Sequence, residues 1–72
     1  MRKKYRKELI IDEFDVNLDL FRYIGLLTNE MIESLNRNRE SVHSSSIRFR
    51  FLDKKKKRAL ISLTWEAIQN EQ

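Results

Sequence analysis

Between Ser46 and Glu66 the chain alternates apolar and polar residues, breaks at a run of basic residues, and alternates again. In the first half, Ile47, Phe49 and Phe51 interleave with Ser46, Arg48 and Arg50. A pleated strand turns successive side chains to opposite faces, so this pattern predicts one apolar and one cationic face. In the second half, Ala59, Ile61, Leu63 and Trp65 interleave with Leu60, Ser62, Thr64 and Glu66. That is a second half-buried strand, and its Ile, Thr and Trp suit a pleated surface. The break holds Asp53, Lys54, Lys55, Lys56, Lys57 and Arg58, with no Gly. A two-residue Asn-Gly hairpin is thereby excluded, and a loop of four or five residues is expected. The competing reading is a helix from Lys56 to about Asn70, with Leu60, Leu63, Thr64, Ala67 and Ile68 on one side.

Upstream, Leu20, Ile24, Leu27, Met31 and Leu35 recur at intervals of three and four, with Phe21, Thr28 and Ile32 widening the stripe. This spacing predicts an amphipathic helix from Leu18 to about Leu35. Asp15 or Asn17 is placed to cap its first turn, and Asp19 lies near the positive end of its dipole. Gly25 costs the helix roughly 1 kcal/mol; either it permits a close approach of another element or it is simply tolerated.

Residues 5–14 read as a strand, with Tyr5, Leu9 and Ile11 on one face and Ile10 on the other; a helical stripe through Tyr5, Leu9 and Ile10 is the alternative. Asn36–Ser45 is polar and aperiodic, which predicts a long loop with at most a frayed last helical turn. Residues 67–72 read as a polar tail with at most one helical turn. The order β-α-β-β follows. The expected fold is α+β: a small two-layer sandwich, one amphipathic helix on a three-stranded antiparallel or mixed sheet. Ile47, Phe49, Phe51, Ile61, Leu63 and Trp65 would meet the helix. Arg48, Arg50, Leu60, Ser62 and Thr64 would lie on the open face.

The 72 residues make one domain, with 1–4 and 69–72 expected to fray. A chain this short buries a modest fraction of its surface, and it has no Cys to staple it. Association is a common remedy, so a homodimer is expected. The basic start runs into charged residues rather than an apolar core, unlike a signal peptide. No apolar run approaches the roughly 20 residues that span a bilayer. No membrane contact is expected, and the expected location is cytoplasmic.

The net charge of +4 conceals a strong segregation. Residues 1–7 carry +5. From Glu8 to Ile47 eight acids outnumber three bases, giving −5; from Arg48 to Arg58 seven bases and one acid give +6. The last fourteen residues carry −2.

Catalytic chemistry is poorly provided for. The single His, His43, sits among serines, but a triad needs fixed geometry and an orienting acid. No phosphate-binding loop, dinucleotide fingerprint or HExxH occurs. Asp12, Glu13, Asp15 and Asp19 lack the spacing and turning Gly of a calcium loop, and capping explains them better. No cofactor and no enzymatic activity are expected.

The basic hairpin stands out. Arg48, Arg50, Lys54, Lys55, Lys56, Lys57 and Arg58 concentrate positive charge, which attracts nucleic-acid backbones through counterion release. Four phosphate contacts would give log K a slope of about −3.6 against log salt on duplex DNA. A solvated turn whose lysines block sheet addition, or arginines paired with Glu8 or Glu66, would look the same in sequence. Phe49 and Phe51 flank an Arg as stacking rings do in RNA-binding sheets, but their alternation assigns them to the core. Two functions are therefore expected: a small non-enzymatic accessory or regulatory protein that binds nucleic acid through the basic hairpin, or a dimeric adaptor or inhibitor whose open sheet face, or a sheet edge, takes an acidic protein partner.

Overall fold

The computed structural model describes residues 2–70. Strand β1 spans Arg2–Ile11, helix α1 Val16–Asn38, strand β2 Glu40–Asp53 and strand β3 Arg58–Gln69. The sheet order is β1-β3-β2, and both pairings are antiparallel. The last strand is thus the central one. β1 and β2 run parallel to each other at its two edges. The helical alternatives for residues 5–14 and for Lys56–Asn70 are excluded.

Register sorts the side chains into two faces. Ile11, Ala59 and Phe51 form one row across the sheet; Leu9, Ile61 and Phe49 the next; Tyr5 and Trp65 a third. These rows face α1. Ala59, Ile61, Leu63, Trp65 and Ala67 are buried along β3 and join Leu27, Leu35 and Phe14 in the core. A central strand is covered on both edges and on one face, which is why its inward residues are the most deeply buried.

Asp15 caps α1, its side chain accepting from the backbone N–H of Asn17 at 2.9 Å and of Leu18 at 3.4 Å. Asp19 reciprocates by accepting from the Asp15 N–H at 2.9 Å. These bonds satisfy donors that the first turn leaves without helical partners. The helix runs three residues beyond Leu35 and ends at Arg39, which adopts a left-handed conformation with φ 55°.

Several expectations need correction. The ten-residue loop at Asn36–Ser45 does not exist: α1 fills its first three positions, and β2 begins at Glu40. The tail expected from residue 67 is instead strand as far as Gln69, and Asn70 donates its N–H to the Arg39 carbonyl at 2.9 Å. Residues 2–4 do not fray but pair with Glu66, Ala67 and Ile68. The strands at both edges of the sheet have one cause: β3 is long, and its backbone groups draw polar neighbours into the ladder whatever their own preference. Met1, Glu71 and Gln72, where fraying was also expected, lie outside the described residues.

The helix stripe is narrower than its spacing suggests. Phe21 and Ile32 are exposed, while Ser34 is buried. Ile47, expected beneath α1, is also partly open to solvent. Nothing lies within 4 Å of the position a Gly25 Cβ would take, so no element makes a close approach there.

Candidate nucleic-acid interface

The sheet face turned away from α1 collects the cations. Arg48 pairs across from Ser62, and Arg50 from Leu60, so both arginines stand on the open face as their alternation requires. On the other side of β3, Arg6 is paired with Thr64 and shares that face. Arg6, Arg48 and Arg50 rim a shallow depression of about 470 Å³, with Leu60 and the buried Ser62 lining it. Farther along, Lys4 with Ser44, Ser46 and Thr64 extends the polar face, where the Glu66 carboxylate also lies. Guanidinium forks and hydroxyls are the groups that hold phosphate oxygens.

The two acids proposed as alternative partners stand on the same open face, Glu8 in the row of Arg48 and Glu66 in that of Lys4, but they pair with other cations. Glu66 pairs with Arg2 at 3.9 Å and with Lys4 at 3.8 Å; Glu8 pairs with Arg6 at 3.2 Å. Among the described residues no carboxylate lies within ion-pair distance of Arg48 or Arg50. The Arg6 pair is exposed on both sides, and such pairs exchange readily for a competing anion.

The hairpin tip is a separate group. Residues 54–57 form the turn, and the Asp53 side chain accepts from the Lys55 N–H at 3.0 Å and the Lys56 N–H at 3.3 Å. These bonds hold the turn through an Asx-type side chain, and the loop has four residues as expected. Lys57 takes φ 52°, and its carbonyl accepts from the Phe14 N–H at 2.8 Å. Lys54 and Lys57 border a recess with Phe14, Val16 and Phe51, which is the helix side of the sheet. The tip thus lies beyond the end of the arginine face, about 13 Å along the strand from Arg50 to Lys54 at 3.3 Å per residue.

Arg58 belongs to neither group. Its Nε donates to Asp12 Oδ1 at 2.7 Å, and that hydrogen bond, with the charge attraction behind it, holds the guanidinium above its already high ordinary pKa. It clamps the end of β1 to the start of β3. The structure therefore divides the seven expected cations into a face pair, a tip quartet and a structural ion pair. Arg6 is the member the hairpin pattern did not include. Its signal was the alternation Arg2, Lys4, Arg6 in β1, masked by Lys3 and Lys7 on the opposite face.

Among the described residues the rings of the sheet pack on its helix side, not on the open face. Phe49 and Phe51 meet edge to face at 5.2 Å, and Phe14 lies 5.2 Å from Phe49. Tyr5 stacks on Trp65 at 5.2 Å on the helix side. The rings are core, as their alternation indicated. His43 is the extra residue of a bulge in β2 and is exposed. Among the described residues no three metal-ligating side chains cluster, and no helix is long and apolar enough to cross a membrane. No protein-family model, curated protein or solved structure matches this chain.

Proposed function

We propose that this chain is a non-enzymatic accessory protein that binds nucleic acid through the open face of its sheet, with the lysine tip as a second contact. One observation carries the reading: Arg48 and Arg50, free of ion pairs among the described residues, share a face with Arg6 around the buried Ser62. Free guanidinium groups on one side of a sheet suit phosphates. With the rings of the sheet packed on its helix side, the open face offers no platform for base stacking, so recognition is of the backbone and tolerant of sequence.

The test is binding of labelled duplex and single-stranded DNA and RNA at two salt concentrations. The three arginine contacts alone give log K a slope near −2.7 against log salt on duplex, contacts by the lysine tip steepen it, and each Arg→Gln change among Arg6, Arg48 and Arg50 removes about 0.9. Absence of binding at low salt, or binding unchanged in Arg48→Gln/Arg50→Gln, rejects the proposal.

A second reading has its own support. In the row where Arg50 opposes Leu60, the next residue across is Ile10, which is 64% exposed. An exposed Ile10 next to the half-buried Leu60 and a cation suits an acidic protein surface better than a nucleic acid. Arg50→Gln and Ile10→Ser would then weaken the same complex. A nucleic-acid complex would respond to the first change alone.

A further inference from the structure

The two edges of the sheet are unlike. β1 carries Arg2, Lys3, Lys4, Arg6 and Lys7, and such charges oppose the addition of another strand. β2 has no Lys, Arg, Asp or Glu from Ser41 to Ile47, and no Pro. Apart from the bulge at His43, its outward backbone groups there are open to a partner.

The layer above that edge is apolar and uncovered. α1 lies over β3 and β2. It joins two parallel strands, and in the right-handed sense of such crossovers the flank carrying Phe21, Thr28 and Ile32 turns toward the β2 edge. Phe21 is 80% exposed and Ile32 46%. On β2 itself, Val42 and Ile47 fall in the helix-facing rows but remain 45% and 38% exposed.

These four residues are arranged symmetrically. α1 ends at Asn38 beside the start of β2 at Glu40 and runs antiparallel to it. At about 1.5 Å per helical residue and 3.3 Å per strand residue, Ile32 stands level with Val42–His43 and Phe21 level with Ile47–Arg48. Their midpoint is near Ser45, which is also close to the middle of the charge-free stretch.

We infer that the β2 edge and the adjoining flank of α1 form an interface with a second copy of this chain, related by a two-fold axis near Ser45. Antiparallel β2–β2 pairing continues the sheet to six strands. Phe21 of each copy meets Ile32 of the other, above Val42 and Ile47. The layer spacing agrees. A helix centred over the β3–β2 pair sits about 2.4 Å inside β2, and the axis lies about 2.4 Å outside it, so the two helices are separated by roughly 9–10 Å. That is the distance at which helices pack. Size agrees as well. A standard interface takes about 800 Å² from each partner. The molecule measures 50 × 18 × 14 Å, so only a long side can supply that area.

The test is solution mass by light scattering, without nucleic acid, from micromolar to millimolar concentration, together with amide hydrogen exchange. The chain weighs 8.8 kDa, and wild type is expected at twice that. Phe21→Glu/Ile32→Glu is expected at the single-chain mass with its circular dichroism retained, because both residues are exposed. Val42→Lys, placed on the strand, provides the same readout if the helix variant loses structure. In wild type the outward amides of Ser41–Ile47 are expected to exchange slowly, and in the variants fast. A wild-type monomer throughout this range overturns the inference. So does a dimer that survives these substitutions, or one whose Ser41–Ile47 amides exchange as fast as in the variants. None of these outcomes bears on whether the arginine face binds nucleic acid.

Discussion

The Tyr5 hydroxyl donates to Glu40 Oε2 at 3.0 Å, joining the two edge strands across β3. Glu40 is buried, and its other oxygen, Oε1, has no hydrogen-bond partner among the described residues. The carboxylate therefore depends on Tyr5. Partial burial, then the hydrogen bond and charge of Glu40, raise the Tyr5 pKa above its ordinary value of 10.0. The neutral phenol is thus favoured by folding. Its contribution is fully present below the unfolded value and declines as pH rises through the folded one. In a Tyr23→Phe background, an ultraviolet titration is expected to place Tyr5 above an ordinary tyrosine, and Glu40→Gln to lower it. Tyr5→Phe is expected to reduce the urea midpoint at neutral pH. A Tyr5 that titrates at its ordinary value would show that the bond does not persist in solution.

Residues with an uninterrupted period were legible in the sequence. Phe49 and Phe51, Ile61 and Trp65, and the Leu20–Leu35 stripe all carry a regular apolar repeat, and each gives the correct element. Ser41–Ser45 carry none. Their strand is imposed by the free edge of β3, a long-range pairing that no local preference reveals. Phe21 and Ile32 obey the helical period as well as Leu27 does, yet only Leu27 is buried. Periodicity identifies an apolar side of a helix, but how wide a strip the sheet can cover depends on where α1 sits. The cation set was legible by residue type and not by role. The Arg58–Asp12 contact joins residues 46 positions apart, and nothing local in either segment signals it.

Gly25 lies in the interior of α1 with open space around it. Ala in its place meets no atom and removes backbone freedom from the unfolded chain. Gly25→Ala is expected to stabilise the fold by about 0.8–1 kcal/mol, raising Tm by roughly 4–8 °C for a domain of this size. Thermal melts at fixed protein concentration check this. A loss of stability would mean that something in solution does approach the helix at that point.

Lys57 occupies the left-handed region without being Gly. An L residue there costs about 1–2 kcal/mol, part of which Gly returns as extra freedom when unfolded. Lys57→Gly is therefore expected to gain about 0.5–1 kcal/mol by chemical denaturation, and Lys57→Ala to gain nothing. Equal effects of the two changes would show that charge repulsion in the lysine turn, rather than backbone strain, governs the site.

Arg58 and Arg48 make a matched pair of probes. Both are exposed arginines in neighbouring strands, but Arg58 is held by Asp12 and Arg48 is free of ion pairs among the described residues. Arg48→Gln is expected to weaken nucleic-acid binding and flatten its salt dependence by about 0.9 in slope. Arg58→Gln is expected to leave the slope unchanged and to lower the denaturation midpoint slightly, because exposed ion pairs contribute little. If Arg58→Gln flattens the slope as Arg48→Gln does, charge at the hairpin acts collectively and the open face has no special role.

Phe14 lies between β1 and α1, outside any regular element, and is 1% exposed. Its ring is 5.2 Å from Phe49, 6.3 Å from Phe51 and 6.4 Å from Tyr23, and its N–H is fixed on Lys57. It plugs the end of the two-layer core, where the helix begins and the hairpin turns. A sequence stretch dominated by Asp12, Glu13 and Asp15 gives no hint of a core residue, because periodicity says nothing about a single ring in a loop. Truncating it leaves a cavity bordered by three rings that cannot all collapse inward. Phe14→Ala is expected to cost about 3–5 kcal/mol, and Phe14→Leu substantially less. Small domains hold little stability in reserve, so the Ala variant should be largely unfolded well below the wild-type Tm. Phe21→Ala makes the contrast, since its ring is outside the core of the single chain. Measured under conditions where wild type is a single chain, it is expected to change stability by less than about 0.5 kcal/mol. If the two phenylalanines prove equally costly under those conditions, the core does not extend beneath the helix N-terminus as the ring contacts require.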